Sequence, residues 1–123
     1  MKPEDLKCRL KKFALRIINL SEHLPDSITA KIIAKQIIRS GTSSGANYRA
    51  ACLGKSDKDF LNKLKIVEEE LDETLYWIEL LVESNIVQEK LLRDLKNENE
   101  ELLRIIISSI NTVKKKKIVN NQS

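Results

Sequence analysis

The sequence predicts an all-α protein, an antiparallel up-down-up-down four-helix bundle, and three observations point there. Apolar residues recur at steps of three and four in four successive segments, the spacing of one face of a helix. Only two prolines and three glycines interrupt the 123 residues. With 33% charged and 4% aromatic residues, the chain has the balance of long helices and lacks the turn residues an all-β domain needs. Its length suits one domain able to bury a core.

In the first segment Leu6, Leu10, Phe13, Ile17, Leu20 and Leu24 alternate steps of four and three, so they share one helical stripe. Pro25 ends it. Asp26 or Ser27 can cap the next helix by accepting a hydrogen bond from a free backbone N–H. Ile28, Ile32, Ile33 and Ile37 open that second helix. Gly54 suits a left-handed helix end, and Ser56, with Asp59 three residues on, is a variant of the capping box that starts the third. Phe60, Leu64, Val67, Leu71, then Thr74 or Leu75, Ile78 and Leu81 carry its stripe to Val82. Asn85 with Gln88 offers a further cap. The last helix carries Leu92, Leu95, Leu102, Ile106 and Val113, with Asn99 and Ser109 as polar interruptions. Residues 1–113 thus read as one bundle domain, and the basic tail 114–123, which loses the pattern, is expected to fray. Short turns between amphipathic helices favour antiparallel neighbours.

The stretch RSGTSSGANYRAACLG at 39–54 needs separate treatment. Tyr48, Arg49, Ala50, Ala51, Cys52 and Leu53 are no flexible spacer. Gly54-Lys55-Ser56 imitates the end of a phosphate-binding loop, but Arg49 stands where that motif requires glycine, and no buried strand precedes it. The remaining reading is helix with a small-residue seam. Ser40 and Ser44, Gly41 and Gly45, and Thr42, Ala46, Ala50 and Gly54 repeat every four residues, so a second backbone can approach closely. Each glycine weakens a helix by about 1 kcal/mol relative to alanine, which close packing must offset.

Charge is unevenly placed. Residues 1–56 hold 11 Lys/Arg against 4 Asp/Glu, a net +7, and residues 57–113 hold 7 against 14, a net −7. Lys114 to Lys117 restore the overall +4. The halves are therefore expected to face different partners, or each other. No run approaches the roughly 20 apolar residues that cross a bilayer, and the charged N-terminus is unlike a signal peptide. The expected location is cytoplasmic, with no membrane contact, and Cys8 and Cys52 read as reduced thiols.

The residues offer little for catalysis. The single histidine, His23, falls near a helix end, and one histidine with two distant cysteines makes no zinc set. Glu70 and Glu73 share a helix face, but a di-iron bundle needs Glu-x-x-His pairs that are absent. The reading is a non-enzyme with no cofactor and no metal. Glu70 or Glu73 is expected to pair with Arg39, Arg49 or Asn47 on the second helix, fixing register if buried. Trp77 and Tyr76 point about 100° apart, one toward the core and one toward an edge or interface.

The run SGTSSGANYRAA with DFLNKLKIVEEELDETLYWIELL resembles the small bacterial four-helix-bundle proteins first noted as reading frames in intervening sequences of 23S ribosomal RNA genes. The resemblance spans about Phe13 to Ile110. The positions that match the family pattern are Arg39, Ser40, Gly41, Ser43, Gly45, Asn47, Phe60, Glu70, Glu73, Tyr76 and Trp77. The family often has a glutamate soon after the asparagine, where this chain has Ala50, so a polar network there must be rearranged. The resemblance implies a homo-oligomer, a pentamer in the related accessory proteins of diversity-generating retroelements, and RNA, DNA or a reverse transcriptase as partner.

The basic residues give that implication a chemical form. Lys7, Arg9, Lys11, Lys12 and Arg16 project from the first helix, Lys31 and Lys35 from the second, and Lys114, Lys115, Lys116 and Lys117 can extend one positive face. Such a face binds phosphates through counterion release, without regard to sequence and more weakly as salt rises. The competing reading is assembly, in which these residues meet the acidic third helix of the same or a neighbouring subunit, or another protein.

Overall fold

The computed structural model describes the backbone of residues 1–122 and the side chains of residues 1–116. These residues form four helices, α1 (Pro3–Glu22), α2 (Ile28–Cys52), α3 (Asp57–Glu83) and α4 (Glu89–Gln122). Each packs on its chain neighbour, and α4 returns to α1 more lightly. Side chains met across each boundary rise in number on one helix as they fall on the next. Ile17 lies beneath Gly41 and Leu10 beneath Gly45. Asn99 reaches Leu71, and Lys116 reaches Asp57. Neighbouring helices therefore run antiparallel.

The stripes meet in one core. Leu6, Leu10, Phe13 and Ile17 of α1 are buried against Leu64, Val67, Leu71, Ile78 and Leu81 of α3 and Leu92, Leu95, Leu102, Ile106, Ile110 and Val113 of α4. Burying a side chain such as Phe13 contributes about 1.5–3 kcal/mol. Thr74, not Leu75, takes the buried place on α3. On α4 the stripe uses Ile110, and Ser109 stays half-buried beside it.

Helix ends are set as hydrogen-bonding demands. Ser27 caps α2 by accepting from the Ala30 N–H at 3.2 Å, and Ser56 caps α3 by accepting from the Asp59 N–H at 3.1 Å. Two sequence expectations change here. Gly54 has no positive φ. Its bareness serves closeness instead, since a Cβ would sit 3.0 Å from the Ala51 carbonyl. The left-handed residue is Asn85, with φ 62°. Its N–H donates to Val82 O and that of Ile86 to Leu81 O, which closes α3 in a Schellman motif rather than opening α4.

The stretch that begins at Arg39 is helix as far as Cys52, inside α2, and Leu53 and Gly54 lie beyond the helix end. Its inward row is Ala30, Ile33, Ile37, Ser40, Gly41, Ser44, Tyr48 and Ala51. Ile28 and Ile32, expected in the core, are exposed, and so are Ala46 and Ala50 of the third small-residue row. Both rows have helical spacing, and the positions of α1 and α3 decide which is covered. At the other end, Lys114, Lys115 and Lys116 are exposed after the buried Val113, and the helix continues to Gln122.

The two seam glycines differ. At Gly41 a Cβ would meet Ile17 Cγ1 and Cγ2 at 2.9 Å, whereas at Gly45 it would meet Leu10 Cβ at 3.5 Å, an ordinary contact. Ile17 is fully buried and cannot swing away. Gly41→Ala is therefore expected to lower the urea unfolding midpoint, because overpacking of about 1–3 kcal/mol offsets the helix gain. Gly45→Ala is expected to raise it by up to about 1 kcal/mol. Equal shifts at both positions would refute the assignment of close approach to Gly41.

Candidate functional site

Between α1 and α2, next to the Gly41 contact, small side chains leave a groove of about 560 Å³. Leu10, Ala14, Thr42, Gly45 and Ala46 make its floor and walls, and Lys7, Lys11, Arg49 and Glu4 supply its charge, with Cys8 beside them. Lys7 is held by Glu4 at 2.9 Å, one turn away on the same helix. Lys11 and Arg49 are exposed and make no ion pair among the described residues. Tyr48 is buried beneath this region, and that burial, then the neighbouring Cys52, pushes its phenol pKa up, so it stays neutral.

The other basic candidates do not form one face with this groove. Arg9 turns toward α4, where its Nε donates to Glu98 at 3.2 Å and its Nη1 to Glu101 at 3.3 Å. The Glu98 hydrogen bond raises its pKa above the usual guanidinium range. It is thus an interhelix tie, and the acidic partner is the fourth helix, not the third. Arg16 lines a second, largely apolar groove between α1 and α4, with Leu15, Leu91 and Leu95. Lys31 pairs with Asp26 at 2.7 Å, and Lys116 approaches Asp57 at 3.9 Å. Lys12, Lys35, Lys114 and Lys115 are exposed and unpaired among the described residues, and the Lys117 side chain lies outside them. The helical arc between Lys7 and Arg9 exceeds what one face can present, so the expected single positive surface is divided. Arg49, which the sequence offers only as a partner for α3 carboxylates, joins the groove. Its i, i+4 relation to Gly45 was the available signal.

The second cluster lies across α2 and α3. Arg39 Nη1 donates to Glu70 at 3.1 Å, its Nη2 pairs with Glu73, and Trp77 Nε1 donates to the same Glu73 at 3.1 Å. Beneath them Thr74 Oγ1 donates to Ser40 Oγ at 2.8 Å, both fully buried. Of the partners expected for the carboxylates, Arg39 takes both. Asn47 instead donates to Ser43 O at 2.9 Å within its own helix, and Ser43 Oγ donates to Ser40 O. Ala50 faces outward, so this network closes without it. Phe60 packs half-buried against the core. Trp77 is half-buried, and Tyr76 stands edge-on to it at 5.2 Å, 54% exposed.

His23 is exposed, its Nδ1 bonded to the Asn19 carbonyl at 2.8 Å. Among the described residues no three His, Cys, Asp or Glu gather as metal ligands, and no helix is long and apolar enough to cross a membrane.

Comparison with known proteins gives three findings. The model of a family described as 23S rRNA-intervening sequence protein matches residues 5–108. A Bacteroides thetaiotaomicron protein of unknown function, from the S23 ribosomal protein family, has a crystal structure that superposes with a TM-score of 0.84. The two chains are 39% identical over 90% of this chain and 99% of that one. No curated protein matches.

The Arg39 cluster makes a pH-dependent contribution whose sign is fixed. The Trp77 hydrogen bond, then Arg39, holds the Glu73 pKa below its ordinary 4.5. A carboxylate with a lowered folded-state pKa stabilises the fold above its unfolded value and loses that contribution as pH falls through the folded value. Thermal melts of wild type and Glu73→Gln should therefore differ most above about pH 5 and converge as pH falls below about 4. A gap that stays constant across this range would rule the linkage out.

Proposed function

The chain belongs to the 23S rRNA-intervening sequence protein family, and from that premise we propose that it is a non-enzymatic, self-associating helical bundle that holds RNA or DNA by the phosphate backbone. The observation that carries this reading is the α1–α2 groove, where Lys7, Lys11 and Arg49 converge against a single carboxylate, Glu4. Its small-residue floor lets a phosphate backbone come near the two exposed cations. None of the groove's lining residues is aromatic, so bases have nothing there to stack on, and recognition without sequence preference follows. The working compartment is the cytoplasm, and the resemblance carries over a pentameric state.

A second reading makes the protein an assembly module or accessory subunit, for example of a reverse transcriptase, with no nucleic acid of its own. The exposed Ile28 and Ile32 favour it, because apolar surface outside a bundle marks contact with protein.

Anisotropy titrations with short mixed-sequence duplex RNA, duplex DNA and single-stranded RNA separate the two. Lys11→Glu/Arg49→Glu is expected to weaken binding at least about tenfold at low salt, and to flatten the log–log salt slope by about one for each lost phosphate contact. Binding absent at low salt, or indifferent to salt, would leave only the assembly reading.

A further inference from the structure

On its other flank α1 meets α4, and there the bundle closes least tightly. Arg9, bonded to Glu98 and Glu101, makes the only polar ties across this seam among the described residues. Past those ties, toward the end of α1 and the start of α4, lies the apolar groove of about 560 Å³. Leu92 and Leu95 are buried at its base, and Leu20, Leu24 and Val87 are half-buried in it. Leu15 on the α1 wall is 58% exposed, and Leu91 on the α4 wall 68%. Leucines at the base and on both walls make an apolar surface that none of the described residues covers.

Polar groups are confined to one wall. Every residue that α4 and its approach contribute to the lining is Val or Leu, whereas α1 and its C-cap contribute Arg16, Asn19 and His23. Arg16 is exposed and makes no ion pair among the described residues, and Lys12, one turn before it, is exposed too. No carboxylate is in the lining. A fitting occupant is therefore apolar toward α4 and anionic along the α1 edge.

The groove's shape selects among such occupants. Its walls are helices, whose backbone groups bond within themselves, so an extended peptide finds no edge to pair with and a helix needs none. From Leu15 to Leu24 the wall runs about 14 Å at about 1.5 Å per residue, room for helix anchors at i, i+3 or i+4 and i+7. A nucleic-acid strand would set its phosphates against leucine, where they lose water without replacement.

We propose that this groove receives an amphipathic helix of a partner protein, its apolar face against Leu91 and Leu95 and its acidic flank along Arg16 and Lys12. The site shares no lining residue with the α1–α2 groove, so the proposal goes beyond the phosphate reading and stands apart from it.

A displayed library of helical peptides tests it, with leucine fixed at i, i+4 and i+7, the flanking positions randomised, and clones that bind Leu91→Glu removed. Wild type should enrich peptides with Asp or Glu along one flank. By anisotropy, a labelled enriched peptide should bind Leu91→Glu and Arg16→Glu at least about tenfold more weakly than wild type. Circular dichroism should be unchanged in both variants, since both side chains are exposed. Replacing the peptide's acidic flank with lysine should weaken binding to wild type and restore it to Arg16→Glu. No enrichment over the Leu91→Glu counter-selection, or enriched peptides indifferent to Arg16→Glu, would overturn the proposal. So would Leu91-dependent pelleting with phosphatidylcholine–phosphatidylglycerol vesicles, or a Leu91-dependent rise in mass by light scattering without peptide, which assign the groove to a membrane or to a second copy. The Lys11→Glu/Arg49→Glu variant should bind the peptide as wild type does, so either idea can fail alone.

Discussion

Ile17 rests directly on the backbone of Gly41, with the place of a Cβ already crowded by its Cγ1 methylene and Cγ2 methyl. That approach lets α1 lie close along α2 near their middle. The Leu10–Phe13–Ile17 stripe lies in the core, and the groove that includes Arg49 opens beside the same seam. A glycine in mid-helix costs about 1 kcal/mol, and here the close contact is what offsets it. The seam is local: one residue requires it, and Gly45 one turn on merely accompanies it.

A band of polar contacts crosses the bundle at the same level. Thr74 donates to Ser40, Arg39 spans Glu70 and Glu73, and Asn99, fully buried, donates to the Leu71 carbonyl at 3.1 Å. Asn99 Oδ1 has no hydrogen-bond partner there. An apolar residue of similar size would avoid that desolvation cost of about 1–3 kcal/mol. What the polar residue supplies is directionality, since sliding α4 by a turn past α3 would strand both ends of its amide. Apolar stripes tolerate such sliding, and hydrogen bonds do not.

The division of charge acquires a structural meaning from this frame. Part of the opposition between the two halves is satisfied inside the chain, by Arg9 on α4 and Arg39 on α3. The remainder is left facing outward on α1 and α2 in one direction and on α3 in another. A groove with exposed cations lies between α1 and α2, and α2 also exposes Ile28 and Ile32.

The helices, their order and the cores of α1, α3 and α4 were legible in the residues, because one apolar row per helix leaves one way to turn it inward. The helical state of residues 39–52 was legible too, from small residues repeating every four. The capping serines Ser27 and Ser56 followed from local hydrogen-bonding needs. Tertiary structure alone decided which of α2's two rows is buried, which glycine is indispensable, and that Arg9 belongs to Glu98 while Lys11 faces the groove. Asn85 could equally have capped the next helix or closed the last, and the direction of the chain after α3 chose. Periodicity and capping depend on neighbours within a turn, which a sequence displays. Facing, closeness and charge pairing depend on which distant segment stands alongside, and that distance exists only once the chain has folded.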